Sequence, residues 1–178
     1  MNLLPYSPKN SADIKQLFTK VFSDSEGKSE GLLIGNLVST LMTSTDEQDL
    51  YGFVAIENQH VIGSIFFTRL TFESGTSVFL LSPVAIHTHY QGKGFGQKLI
   101  NFGIQHLKEN GVRMVFTYGD PNFYSKVGFK QITQEIAKSP FTLTQPEGWL
   151  GQSLLSDEIH PIAGNSSCVE AFNKAEYW

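Results

Sequence analysis

The sequence predicts a mixed α/β fold in which one parallel pair of strands lies among antiparallel strands. Two amphipathic helices are followed by two β-rich segments, residues 50–57 and 60–72, which are close enough in sequence to form an antiparallel hairpin. A glycine-rich turn and a third amphipathic helix then separate the apolar segment 78–86 from the segment 112–118. The order strand, helix, strand implies a right-handed parallel crossover.

Two helices are predicted before the first strong strand. Asn10 or Ser11 can cap the first, and the second runs from about Gly31 to Met42. Apolar residues recur in both at the spacing of one buried helical face. In the first helix these are Ile14, Leu17, Phe18, Val21 and Phe22, and in the second they are Leu33, Leu37, Val38, Leu41 and Met42.

Three strands follow. Residues 50–57 and 60–72 are rich in aromatic and β-branched side chains, and Asn58-Gln59 between them is typical of a tight hairpin turn. Residues 78–86 form a nearly continuous apolar run, which favours a strand covered on both faces. Pro83 lacks an N–H group, so this strand should bulge or separate from its neighbour there.

The elements after the glycine-rich turn complete the pattern. The helix that follows it should bury Leu99, Ile100, Gly103, Ile104 and Leu107 and end at Asn110-Gly111. After the strand 112–118, Asp120 can cap a short helix that begins at Pro121 and runs to about Val127, where Gly128 stops it. Residues 129–132 and 149–155 are strand-like. We expect one domain over 1–178, in which 134–178 completes the sheet or the substrate side.

Composition limits the functional classes. The 13 basic and 17 acidic residues give a net charge of −4, and the basic residues are scattered, which disfavours nucleic-acid binding. Cys168 is the only cysteine, so neither an intramolecular disulfide nor a cysteine metal cluster can form, and the histidines lack metal-ligand spacing. The N-terminus does not resemble a signal peptide, and no apolar window reaches ~18 residues. We expect a cytoplasmic protein without a metal or a membrane partner.

The segment Gln91–Gly96 is a candidate anion site. Glycines at alternate positions, 92, 94 and 96, let backbone N–H groups close around an anion, and the following helix adds its positive end. The same glycines could serve only a tight strand-to-helix turn. Their spacing does not fit G-x-G-x-x-G, and no G-K-[ST] follows, so neither a dinucleotide site nor an ATP site is predicted.

Two motifs indicate a family. Gln91, Gly94 and Gly96 match Q/R-x-x-G-x-G, and about thirty residues later the segment 124–129 reads Tyr-Ser-Lys-Val-Gly-Phe. With these motifs, residues 78–133 resemble the core of the GNAT-type N-acetyltransferase superfamily, in particular a bacterial branch of small predicted acetyltransferases. The resemblance implies the GNAT acyl-coenzyme A N-acyltransferase fold, a twisted, mostly antiparallel sheet with a splayed parallel pair and flanking helices.

The resemblance also implies a reaction and its site. Acetyl-coenzyme A would be the cosubstrate, and the acceptor would be the primary amine of a small molecule or a protein. Backbone groups of the strand would meet the pantetheine arm and the acetyl carbonyl, and the glycine-rich turn would hold the diphosphate. The implied cofactor-binding residues are Val84, Ala85, Ile86, Gln91, Gly92, Lys93, Gly94, Phe95, Gly96 and Gln97, with Asn122 as a further contact.

Tyr124 is the implied catalytic residue. A leaving thiolate needs a proton, and a phenol with a pKa near ~10 still carries one at neutral pH. Without the motif, the same residue could be a core aromatic of a short helix. Glu57, Glu73, His87 or a chain of water molecules could act as the general base, which stays unassigned.

Two alternative functions stay open. One is a catalytically silent acyl-coenzyme A binding module, and the other is a Rossmann-like nucleotide enzyme, for which only Asp120 could serve as the acidic ribose ligand. The aromatic residues Trp149, Phe172, Tyr177 and Trp178 could form a core or a dimer interface, so the protein is expected to be a monomer or a homodimer.

Overall fold

A computed structural model describes residues 1–178, and its internal contacts divide them into two compact units. Unit 1 comprises residues 1–67 and 83–103, and unit 2 comprises residues 68–82 and 104–178. Two strands and one helix contribute residues to both units: β3 (His60–Phe72), β4 (Val78–Ile86) and α3 (Phe95–Glu109).

The other regular elements of unit 1 are β1 (Asn2–Pro5), α1 (Ser11–Glu26), α2 (Lys28–Ser44) and β2 (Leu50–Glu57). Strand β2 lies between β1 and β3, and Leu3 is paired with Ala55 in the antiparallel β1–β2 ladder. Asn58 and Gln59 join β2 to β3 with φ values of 49° and 68°, which confirms the tight hairpin. Strand β1 was not predicted, because its four residues are too few for a periodic signal.

The two first helices pack closely through small residues. A Cβ atom added to Gly31 would clash with Ser23, and one added to Gly35 would clash with Thr19. Helix α2 is longer than predicted because Gly27, with φ of +100°, ends α1 and lets α2 begin at Lys28. Its buried face also differs slightly: Ile34 is buried, whereas Leu33 and Met42 are only half-buried.

The remaining elements of unit 2 are β5 (Met114–Tyr118), α4 (Pro121–Tyr124), β6 (Lys130–Gln131), β7 (Trp149–Ser153) and β8 (Ser166–Ser167). The strand order in this unit is β4-β5-β7-β6, and β8 pairs with β3. Strands β4 and β5 are parallel, as predicted, and the register runs from Val78 opposite Met114 to Leu81 opposite Thr117. The pairing thus ends two residues before Pro83, where the sequence predicted that the strands separate.

The C-terminal aromatic residues form part of the core of unit 2. Trp149, Phe172 and Trp178 are buried, and the two indole rings lie 6.2 Å apart. The indole N–H of Trp149 donates to the carbonyl oxygen of Ala137, and that of Trp178 donates to the carbonyl oxygen of Phe172. Trp149, Phe172 and Trp178 therefore belong to the core of unit 2.

The observed architecture is a mixed α/β fold with an open sheet of eight strands and flanking helices, which confirms the predicted fold class. None of the helices combines the length and the apolar character that crossing a membrane would require.

Candidate active site

The glycine-rich turn of unit 1 links a short 3-10 turn at Thr88–Tyr90 to the start of α3 at Phe95. Gly92 and Gly94 have φ values of +72° and +79°, in the left-handed region that favours glycine. A Cβ atom added at either position would have no neighbour within 4 Å. The glycines are therefore required by the backbone conformation, and the space beside them is open to a ligand.

The first turn of α3 presents unpaired donors. The N–H of Lys98 donates to the carbonyl oxygen of Gly94 at 3.1 Å, which is the first hydrogen bond of the helix. The N–H groups of Phe95, Gly96 and Gln97 come before it and have no partner within the helix. With the positive end of the helix dipole, they form an arrangement suited to a phosphate group.

Gln91 and Lys93 brace the turn. The side-chain amide of Gln91 donates to the carbonyl oxygen of Ile86 at 2.8 Å, so it ties the turn to the end of β4. The ammonium group of Lys93 donates to the carbonyl oxygen of His89 at 2.9 Å and lies 5.6 Å from the ring centroid of Tyr90. Both residues were predicted from the sequence to belong to the site, but their contacts were not, because these contacts depend on how the turn folds back.

The end of β4 carries the residues predicted to meet the acetyl group. Ala85 and Ile86 are buried and Val84 is half-buried. All three come after Leu81, the last residue of β4 in the ladder with β5. In unit 1, therefore, the structure places Val84–Ile86 next to the turn through the Gln91–Ile86 hydrogen bond.

Tyr124 lies in unit 2 at the end of α4. Asp120 caps this helix, since its carboxylate accepts the N–H of Asn122 at 2.9 Å, and Asn122 itself is exposed. The Tyr124 ring makes edge contacts with Phe123 and Phe129, with centroid distances of 5.0 and 5.7 Å. The ring of Tyr124 is thus held between two aromatic neighbours.

The environment of Tyr124 favours the neutral phenol. Burial raises the pKa of Tyr124 to about 12; a hydrogen bond with Thr117 opposes this, and the charge of Asp120 adds to it. At neutral pH the phenol is therefore protonated. It can donate a proton or a hydrogen bond, but it cannot serve as a base.

Thr117 is a residue of this region that sequence analysis missed. Its side chain is buried, and its hydroxyl donates to the carbonyl oxygen of Leu81 at 2.8 Å. The available signal was a hydroxyl residue within the apolar strand Met114–Tyr118, but such a residue alone does not reveal its partners.

The remaining candidates are engaged elsewhere or are chemically weak. Glu57 forms an ion pair with the N-terminal ammonium at 3.7 Å, and Nδ1 of His87 accepts the N–H of His89. Burial raises the pKa of the half-buried Cys168 thiol, which reduces its thiolate fraction and its value as a nucleophile. No general base is assigned.

Comparisons with known proteins agree on one family. A family model described as the acetyltransferase (GNAT) domain matches residues 48–131. The uncharacterized N-acetyltransferase YjhQ of Escherichia coli is 26% identical over 167 residues, which cover 90% of this chain and 88% of YjhQ.

Solved structures of GNAT proteins share the fold. The E. coli N-acetyltransferase YhbS in complex with coenzyme A superposes with a TM-score of 0.80 at 23% identity, over 97% of this chain and 92% of that one. An acetyltransferase from Brucella melitensis in complex with acetyl-coenzyme A gives a TM-score of 0.73 at 23% identity, over 97% of both chains.

Proposed function

We propose that the chain is a GNAT-type N-acetyltransferase, which transfers the acetyl group of acetyl-coenzyme A to a primary amine by direct attack. The proposal is supported by the GNAT domain model that matches residues 48–131 and by the likeness to an N-acetyltransferase of E. coli. The observation that carries the proposal is the set of unpaired N–H groups at Phe95–Gln97, which follows a glycine turn with open space beside it. Coenzyme A and acetyl-coenzyme A are bound in the two structures that share the fold, which supports the choice of cosubstrate.

The turn at Gln91–Gly96, extended by Gln97, is assigned to the diphosphate. A diphosphate is a strong hydrogen-bond acceptor and gains from the N–H groups and the dipole at the start of α3. Gln91 and Lys93 contribute by holding the turn in shape through Ile86 and His89. Asn122 is assigned a lesser cofactor contact from its exposed position at the start of α4.

Val84–Ile86 are assigned to the pantetheine arm and the acetyl carbonyl. A strand whose pairing with one neighbour has ended has backbone groups that can bind an extended chain as an added strand would. Backbone N–H groups at this point would also stabilise the oxyanion that forms when the amine attacks the thioester. This assignment is supported by the end of the β4–β5 ladder at Leu81, three residues before Val84.

Tyr124 is assigned as the general acid that protonates the departing sulfur. Its pKa of about 12 keeps the proton available at neutral pH. A thiol has an ordinary pKa of about 8.5, so full transfer from this phenol is unfavourable unless the phenolate is stabilised as it forms. The acid role thus requires a group that stabilises the charge on the Tyr124 oxygen.

The proposal is tested by binding and turnover on the same preparations. Calorimetry with coenzyme A and acetyl-coenzyme A measures binding, and the release of free thiol in the presence of a panel of primary amines measures transfer. Tyr124→Phe should retain binding and lower kcat by roughly 10²-fold or more, the usual contribution of a general acid. Tyr118→Phe is the matched control, because it removes a nearby phenol that is bonded to Thr144 and to the N–H of Gln145.

The outcomes separate the alternatives. Absence of coenzyme A binding would overturn the proposal, and displacement of coenzyme A by NAD would favour a nucleotide enzyme instead. Binding without turnover on any amine would identify a silent acyl-coenzyme A module. Full turnover by Tyr124→Phe would remove only the assignment of the acid.

A further inference from the structure

A cavity of about 330 Å³ lies in unit 2, where the parallel pairing of β4 with β5 begins. Its walls come from the turn before β4, the start of β5, the end of β7 and the segment that follows β7. The volume is within the range of cavities that hold small ligands. None of the residues assigned to coenzyme A lines this cavity.

The lining carries hydrogen-bond donors that no group of the protein accepts. These donors belong to the guanidinium of Arg113, the hydroxyl of Ser153 and the imidazole of His160. The side chains of Arg113 and His160 are exposed and take part in neither of the ion pairs of the chain. A guanidinium has only donors, and an imidazole always has at least one N–H group.

Proton counting shows that Ser153 can only donate to a ligand. Its hydroxyl oxygen accepts the N–H of Leu155 at 3.2 Å and the N–H of Ser156 at 3.3 Å. A serine hydroxyl has one proton and two lone pairs, so both acceptor positions are occupied. The remaining proton has no acceptor within the protein and lies in the wall of the cavity.

The backbone holds Arg113 and Ser153 in adjacent positions. The N–H of Arg113 donates to the carbonyl oxygen of Ser77 at 3.0 Å, and its carbonyl oxygen accepts the N–H of Leu154 at 2.8 Å. The next residue, Met114, is paired with Ser153 in the antiparallel ladder of β5 with β7. The guanidinium and the hydroxyl thus enter the cavity from neighbouring strands whose backbones are already fixed.

The rest of the lining favours an organic anion. No acidic residue lines the cavity, although Asp157 and Glu158 belong to the segment that follows β7. Leu155 and Ile162 add apolar walls, and Leu155 is 68% exposed, so its surface is open to a ligand. A ligand with an apolar body would gain from covering that surface.

We propose that this cavity binds a small organic carboxylate. Its oxygens accept hydrogen bonds from Arg113, Ser153 and His160, and its apolar body lies against Leu155 and Ile162. A carboxylate has about four acceptor positions, of which a guanidinium fork fills two and the hydroxyl and the imidazole fill one each. Inorganic phosphate matches this set less well, because it has more charged oxygens and no apolar body. The site is independent of the proposed acetyl transfer and adds a second ligand to the protein.

The test uses three probes that separate charge from apolar contact. Sodium hexanoate, hexanamide and inorganic phosphate are titrated into the ¹⁵N-labelled protein, and the backbone amides and the arginine Nε–H groups are followed by NMR. Hexanamide has the same apolar body without the charge, and phosphate has charge without the body. Arg69 is the other arginine of the chain, so the signal of Arg113 is assigned by its loss in Arg113→Gln.

Hexanoate should give saturable shifts at the Arg113 Nε–H and at the amide of Ile162. We expect a dissociation constant on the order of 1 mM, which is reasonable for so small a ligand, and roughly tenfold weaker binding of the other two probes. Equal affinity for hexanamide would show that charge is not recognised, and equal affinity for phosphate would show a site for inorganic anions. Either result, or shifts that do not saturate with hexanoate, would overturn the proposal.

Substitutions at exposed side chains test the assigned donors without disturbing the core. Arg113→Gln should weaken hexanoate binding roughly tenfold, as expected for the loss of hydrogen bonds to a charged group. Arg113→Lys keeps the charge but not the planar fork, so it should recover the affinity only in part. His160→Gln should weaken binding several-fold. Lys138→Gln is the matched control, because it removes a positive charge from a different cavity of unit 2. Unchanged affinity in Arg113→Gln, or an equal loss in Lys138→Gln, would overturn the proposal.

These measurements need neither coenzyme A nor turnover. A failure of the proposed acetyl transfer would therefore leave the result for this cavity valid. Addition of coenzyme A should not change the affinity for hexanoate, since the residues assigned to the cofactor do not line the cavity. Displacement of hexanoate by coenzyme A would overturn the assignment of a second ligand site.

Discussion

Gly119 lies directly against the ring of Tyr124, since a Cβ atom built on Gly119 would stand 2.6 Å from Cε2 of that ring. The backbone of Gly119 is fixed as well, because its N–H donates to the carbonyl oxygen of Gly148 at 3.0 Å. The ring of Tyr124 can therefore occupy its position only because residue 119 has no side chain.

Gly119→Ala is expected to displace the ring of Tyr124 and lower kcat while leaving the affinity for coenzyme A nearly unchanged. Crowding of this kind costs about 1–3 kcal/mol of unfolding free energy, measurable by urea denaturation. The double variant Gly119→Ala/Tyr124→Leu is the control, since its smaller side chain should recover stability without recovering turnover. Wild-type kcat in Gly119→Ala would show that turnover does not depend on the position of this ring.

Gly94→Ala and Gly75→Ala form a matched pair that tests the glycine-rich turn. Both glycines have positive φ, +79° at Gly94 and +74° at Gly75, and an added Cβ atom would meet nothing within 4 Å at either. Each substitution should cost about 1 kcal/mol of unfolding free energy through backbone strain alone. Only Gly94→Ala should weaken the binding of coenzyme A in calorimetry, and equal affinities in the two variants would contradict the assignment of the turn to the diphosphate.

The observed bounds of β2, β3 and β4 agree with the bounds predicted from the sequence, because local signals in the sequence mark them. Asn58 and Gln59 occupy the left-handed region that ends β2 and begins β3, and Pro83 coincides with the loss of pairing that begins after Leu81. The short helix before Gly128 could also be predicted from local residues, since Asp120 caps it and Gly128 has a φ of +92°. Local chemistry was sufficient for these elements.

Contacts between distant residues could not be predicted in this way. Thr117 donates to a carbonyl oxygen 36 residues earlier, and no local pattern identifies that partner. The segment 134–178 has few regular elements, and its core depends on specific contacts such as the indole of Trp149 with Ala137. The binding and catalytic assignments likewise stay predictions, because the motifs identify residue types and not the contacts that support them.

Gln91→Met is expected to loosen the connection between the turn and β4. Methionine has a similar length but cannot donate to the carbonyl oxygen of Ile86, which now receives the Gln91 amide at 2.8 Å. We expect a loss of about 1 kcal/mol in unfolding free energy and a several-fold weaker affinity for coenzyme A. Lys93→Met is the comparison, because it removes the bond to His89 and a positive charge, so its effect on affinity should decrease as salt is added. An unchanged affinity in Gln91→Met would show that the bond to Ile86 does not shape the turn.

The raised pKa of Tyr124 predicts a specific loss of stability at high pH. In the unfolded chain the phenol ionises near its ordinary pKa of about 10, whereas in the folded protein it keeps its proton up to about 12. Between these values the folded state binds more protons than the unfolded state, so the free energy of unfolding falls as pH rises, by at most about 1.4 kcal/mol per pH unit. Below pH 10 this contribution is fully present.

Urea denaturation between pH 9 and pH 11.5 should therefore show that the free energy of unfolding declines less steeply in Tyr124→Phe than in the wild type. The slope should not vanish, because burial and the charge of Glu47 also raise the pKa of Tyr6, and Tyr6→Phe measures that share. Parallel declines in the wild type and Tyr124→Phe would mean that the folded protein does not hold the Tyr124 proton more tightly than the unfolded chain does.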